Sequence, residues 1–174
     1  DCDTLLLSVG LIPENELSRG LGLDIHPLTN GPIVDQHRES SIPGIFAAGN
    51  VVHVHDLVDF VSEEAEIAGK FAALKAQDAL SDAVADIRVE AIDEVRTCVP
   101  QHIRATADGE TIRLFMRVRK PMKKVRLTVK SGDDVLLTKV LPVAKPSEMI
   151  AVNVPADKAK GHHQDWTVSV KEEA

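Results

Sequence analysis

Apolar residues recur with two different periods along this chain, and the change falls near residue 81. Leu57, Val61, Ala65, Ala68 and Ala72 recur at steps of four, four, three and four, and Phe60, Ile67, Phe71 and Leu74 widen the stripe. This spacing predicts an amphipathic helix that fades near residues 79–82. Asp56 is the expected N-cap, and Asp59, Glu63 and Glu64 complement the positive end of the helix dipole. Gly69 costs about 1 kcal/mol relative to Ala inside a helix, and close approach of a neighbouring element is its expected compensation.

Upstream of the helix the pattern is less regular. Residues 4–9 form a near-continuous apolar run ended by Gly10, which suits a strand buried on both faces. Pro13 allows a helix start, Glu14 and Glu16 favour its first turn, and Gly20 and Gly22 stop it. Residues 25–34 read as a hairpin around Thr29-Asn30-Gly31, and residues 45–48 as a short strand. From residue 87 the period drops to two. Ile112, Leu114, Met116 and Val118 alternate with Arg113, Phe115, Arg117 and Arg119, and Val125, Leu127 and Val129 with Lys124, Arg126, Thr128 and Lys130. Segments 87–92, 97–103, 135–141, 149–154 and 166–170 are further expected strands, with a turn at Ser131-Gly132-Asp133-Asp134. Six or seven short strands in about 90 residues predict an antiparallel sandwich resembling an immunoglobulin or fibronectin type III fold.

Charge supports the same division. Residues 1–80 hold 4 Lys/Arg against 13 Asp/Glu, a balance of −9; residues 81–174 hold 16 against 14, a balance of +2. Two domains are expected, 1–80 and 81–174. The net charge of −7 and basic strands without interleaved Tyr or Trp argue against nucleic acid. No apolar run approaches about 20 residues, so no membrane span is expected. Cys2 and Cys98 lie in no C-x-x-C pair, and a reduced, cytoplasmic protein is the simpler reading. Cys98 reads as a packed thiol. The chain opens on Asp-Cys-Asp-Thr-Leu-Leu-Leu with no Met, as the middle of a fold would, so a fragment is expected.

The densest chemical signal is Ser41-Ile-Pro-Gly-Ile-Phe-Ala-Ala-Gly49-Asn50-Val51. A turn, a short strand, a Gly-Asn bend and then a helix N-terminus make a cradle for a cofactor. His53 and His55 stand two apart and could share a side as metal ligands, but no third ligand lies at a good spacing, so no metal is expected. His162-His163 read as a solvated loop, and His26, His37 and His102 as isolated side chains. The basic set Arg113, Arg117, Arg119, Lys120, Lys123, Lys124, Arg126 and Lys130 reads as a solvated face that blunts edge pairing. The alternative is docking to an acidic surface such as the −9 module. No catalytic residue is identified.

Residues 3–76 resemble the last part of the FAD-dependent pyridine nucleotide (-disulfide) oxidoreductases, flavoproteins built from two dinucleotide-binding domains. Asp3-Thr-Leu-Leu-Leu-Ser-Val-Gly10-Leu-Ile-Pro13-Glu-Asn15 is similar to the segment that leaves the NAD(P) domain and re-enters the FAD domain. Gly31-Pro-Ile-Val-Asp35 resembles the next strand, and residues 42–51 the second FAD motif. Within the family the sarcosine oxidase alpha and anaerobic glycerol-3-phosphate dehydrogenase types are nearest in pattern. The resemblance implies the end of a Rossmann-like FAD/NAD(P)-binding domain followed by the all-β sandwich. It implies FAD, with NAD(P), in the intact protein, and hydride transfer from NAD(P)H or a reduced substrate to the flavin. Gly49, Asn50, Val51, Asp56, Leu57 and Val58 would then belong to the flavin site, with Asn50 where the family commonly has Asp. No G-x-G-x-x-G occurs, so the pyrophosphate cradle would come from upstream polypeptide and the piece alone is expected to be inactive. The rival reading is a non-catalytic binding or assembly module whose sandwich docks a partner, or a homodimer that exchanges strand edges.

Overall fold

A computed structural model describes residues 2–8, 10–107 and 109–173. It is β-rich, with few helices. Among the described residues, two sheets hold β1 (Ala83–Asp93), β2 (Val95–Val99), β3 (His102–Thr106), β4 (Ile112–Val118), β5 (Met122–Ser131), β6 (Asp134–Ala144), β7 (Ile150–Val154) and β8 (Trp166–Glu172). One sheet has the order β3-β1-β8-β5-β6 and the other β2-β4-β7. Every pairing is antiparallel except β1 with β8, where Val89 lies opposite Trp166 and Asp93 opposite Val170. The expected strand 97–103 is two strands, because the chain breaks at Pro100 and Gln101.

Both sheets bury their alternate residues in one apolar cluster. Ile87, Val89, Ile112, Leu114, Met116, Leu127, Val129, Val152, Val168 and the single Trp166 all belong to it. The alternation along β4 works on both faces. Ile112, Leu114, Met116 and Val118 enter the core, while Phe115 is fully buried on the opposite face, toward the first half of the chain.

The first half contributes α1 (Glu16–Gly20), a 3-10 turn (Gly49–Val51) and α2 (Val58–Ala76); a short α3 (Ala156–Ala159) precedes β8. Its extended parts make isolated bridges: Ile25 with Pro32, Val34 with Ser40 and Glu39 with Phe46. The turn at Asn30 follows the hairpin chemistry, with φ of 60° at that residue. The strand expected at 4–9 does not form over residues 4–8, and Val9 lies outside the described residues. Leu5, Leu6 and Leu7 are instead 74%, 90% and 73% exposed. A strand needs a partner for its N–H and C=O groups, and residues 4–8 meet none among the described residues. Residues 45–48 are likewise a bridge, not a ladder. No helix is long and apolar enough to cross a membrane among the described residues.

The two halves meet along a polar seam. The Gln36 side-chain amide pairs with the Arg104 backbone, accepting its N–H and donating to its carbonyl at 2.8 Å each. Val34 donates its N–H to Gln101 Oε1 at 3.0 Å, and Gln101 N–H donates back to the Val34 carbonyl at 3.1 Å. Each amide substitutes for a strand neighbour at a sheet edge.

Candidate functional site

The bend behind residues 45–48 is built around a buried carboxylate. Glu64 is on the second turn of α2, four residues after Phe60 and four before Ala68, and is 0% exposed. Its Oε2 accepts the Gly49 N–H at 2.7 Å and His55 Nε2 at 3.1 Å. Its Oε1 lies 3.2 Å from His53 Nε2 and 3.0 Å from Arg38 Nε. Arg38, also 0% exposed, sits at φ 69°, where a non-glycine residue is held only by its surroundings. Its Nε is near Glu64 without hydrogen-bond alignment and its Nη2 has no partner, so the contact is an ion pair more than a hydrogen bond.

An aromatic floor lies beneath this hub. The Phe115 ring meets His53, His55 and Phe60 edge-on at centroid distances of 5.9, 5.6 and 5.5 Å. Arg38 and Arg113 place their guanidinium carbons 5.7 and 5.1 Å from the same ring. Burial acts to raise the Glu64 pKa, but hydrogen bonds from both histidines and the Arg38 charge outweigh it and hold the carboxylate far below its usual range. Burial lowers the His53 pKa, against the pull of Glu64. Desolvation pushes the Cys98 thiol up to about 12, which suits a packed thiol.

The six residues expected at a cofactor lie on one short stretch with different surroundings. Gly49 is buried at φ 74°, its N–H spent on Glu64, and a Cβ there would stand 3.1 Å from Val61 Cγ1. Its glycine character serves the bend and the packing on α2. Asn50 is exposed, and its Oδ1 accepts the His55 N–H at 3.1 Å. The Val51 carbonyl is fastened by Asn15 Nδ2 at 2.9 Å; the same amide nitrogen holds the Asn30 carbonyl at 2.8 Å. Asp56 does not cap α2. The N-cap position falls to Leu57, with no side-chain cap, because both Asp56 oxygens accept the Met149 N–H at 3.1 Å and Oδ1 pairs with Arg117. Leu57 and Val58 are 51% and 75% exposed at the open helix end. Beside the bend runs an apolar groove of about 480 Å³ lined by Leu17, Leu21, Leu23, Phe46, Ala48 and Val51.

The fold supplies the third ligand that spacing along the chain did not: His53, His55 and Glu64 offer ligand atoms within 4.8 Å of one another. Two features oppose a cation there. The Arg38 guanidinium already neutralises the carboxylate, and a third oxygen contact comes from the Gly49 N–H. His55 Nδ1 also lacks the outer partner that a ligating imidazole ordinarily has. The arrangement is a hydrogen-bonded hub with both imidazole Nε2 atoms turned toward the Glu64 carboxylate.

Arg38, Glu64 and Phe115 are absent from the sequence-based site. Glu64 was legible as a charge inside the stripe Phe60–Glu64–Ala68. His37, expected to stand alone, is stacked on Phe71 at 3.7 Å and bonded to Glu110 at 2.7 Å. Gly69 faces open space, so the expected neighbour is not among the described residues. The basic set divides: Arg113 and Arg117 dock on Glu63 and Asp56 of the acidic half, and Lys120 pairs with Glu94. Comparisons with protein-family models, curated proteins and solved structures give no match.

Proposed function

We propose that this chain is the C-terminal portion of an FAD-dependent, NAD(P)-linked oxidoreductase and contributes one wall of its flavin site. The end of a Rossmann-like domain and an appended immunoglobulin-like sandwich are part of the same reading. The observation that carries it is a free edge where the resemblance requires a sheet. Ser40 and Ala47 spend their N–H groups on Ile45 and Arg38, on one side of residues 45–48. The Phe46 and Ala48 N–H groups have no backbone partner on the other side among the described residues. An unpaired edge of this kind is a template for another strand, here one from upstream polypeptide.

The chain's own residues fit an FAD in part. Leu57 and Val58 present an uncapped helix N-terminus, whose free N–H groups and dipole favour an anion. Asn50 keeps its Nδ2 free to donate, while Gly49 is too enclosed for direct contact. When bound, FAD supplies the capacity to accept hydride from NAD(P)H or a reduced substrate and to pass electrons on. The role of this chain is to hold the bend through Glu64, to shape the groove and to offer positive potential at the start of α2. The exposed Ser62, Ala65, Gly69 and Ala73 leave α2 a slim outer face suited to a covering layer.

Visible absorbance tests the reading. This chain alone should purify colourless, and the same chain continued upstream should purify yellow; an extended protein without flavin overturns the proposal. The same free edge favours a second reading, in which two copies pair at residues 45–48. Light scattering of the isolated chain at twice the monomer mass, lost with Phe46→Pro, would support that one.

A further inference from the structure

The β-rich half does more than hang from the flavin wall: we infer that Arg117 of β4 is a positioning residue for the start of α2. The inference rests on the flavin reading above for its chemical consequence, though not for its geometry. Arg117 Nη2 donates to the Val54 carbonyl at 3.0 Å and to Asp56 Oδ1 at 3.3 Å, and Nη1 donates to the Pro146 carbonyl at 2.9 Å. Asp56 is thereby drawn away from capping and fixed between β4 and the Met149 N–H at the entry to β7. On the same face of β4, Arg113 Nη2 donates to Glu63 Oε2 at 2.8 Å, and its Nε lies 2.8 Å from Oε1 as an ion-pair contact without hydrogen-bond alignment.

The two anchors match in length. Four residues of strand span roughly 13 Å, and the stretch from Asp56 to Glu63 joins two residues before α2 to five helical steps of about 1.5 Å each, so two long arginine side chains reach both anchors. Between the anchors, Phe115 fills the space under Phe60. The helix end that would face the flavin is thus held by a strand some sixty residues later. Arg117 also neutralises the Asp56 carboxylate two residues before the helix, so that this charge does not offset the positive end of the dipole. Removing it moves the helix end and weakens the local potential together.

Two measurements separate position from bulk stability. In the present chain, Arg117→Gln should speed amide exchange of residues 54–60 at least tenfold and leave residues 68–76 unchanged. Equal acceleration of both segments would mean general destabilisation and overturn the inference. In the flavin-bearing extended protein, Arg117→Gln should weaken binding of the anionic reduced flavin relative to the oxidised form by about three- to thirtyfold, read as a lower midpoint potential. Arg117→Lys, which keeps the charge and loses the fork, should restore part of that shift. Arg126→Gln on β5 should change nothing. A potential unmoved in Arg117→Gln with full flavin content overturns the inference, whereas an extended protein without flavin overturns the parent reading alone. If Arg117→Gln does not fold, Arg117→Lys carries both measurements.

Discussion

Replacing Glu64 by Gln removes one buried charge and turns one acceptor oxygen into a donor, at almost constant volume. The carboxylate serves two pairs of partners: Gly49 N–H with His55 on Oε2, and Arg38 with His53 on Oε1. Each histidine can adapt by changing tautomer. The Gly49 N–H and the Arg38 guanidinium cannot, so either orientation of the amide sets a fixed donor against another donor. An orphaned buried donor costs about 1–3 kcal/mol. Stranding Arg38 at zero exposure brings the total to about 3–5 kcal/mol, the range for breaking one side of a buried pair. Urea unfolding followed by Trp166 fluorescence reports the apolar core, and far-ultraviolet ellipticity reports α2. Both should shift together, because Phe115 joins the hub to β4. Adding Arg38→Met should recover about 1–3 kcal/mol as a coupling energy. A loss below about 1 kcal/mol for Glu64→Gln, or strict additivity in the double variant, would refute the hub as described.

Four further outcomes follow from the same geometry. Burial holds the His53 pKa below its unfolded value of about 6.5, so its stabilisation is complete above that pH and is lost as pH falls through the window below it. Glu64, also held low, keeps its contribution until pH falls below about 4.3; urea midpoints should therefore be flat above pH 7 or so and decline toward about pH 5. Gly31→Ala would put a methyl 1.9 Å from the Val52 carbonyl oxygen and should cost about 3 kcal/mol or more by thermal melting. Gly69→Ala enters open space and should stabilise the isolated chain by up to about 1 kcal/mol. Added zinc should leave the melting temperature unchanged; a rise that disappears in His53→Ala would show instead a metal centre at the hub.

Much of the β-rich half was legible because alternation is a local signal. Ile112, Leu114, Met116 and Val118 read correctly as core, and the turn at Gly132 fell where its residues demanded. The same alternation assigned Phe115 to a solvated face, since period two says which side a residue takes and not what covers that side. Asp56 is a sound capping residue by local rules, yet Arg117 and Met149, distant in sequence, claim its carboxylate. Arg38 carried no local signal at all, because its φ of 69° is imposed by Glu64 and the bend around it. Residues 4–8 show the reverse failure. Leu5, Leu6 and Leu7 have the composition of a doubly buried strand, but strand formation also requires a neighbour that local pattern does not supply.

The most direct test is amide exchange compared between this chain and its flavin-loaded, upstream-extended form. The account predicts new protection at Phe46 and Ala48, from strand pairing, and at residues 57–60, from the covered helix end. Equal exchange at both places in a protein that demonstrably holds FAD would put the flavin elsewhere and contradict it.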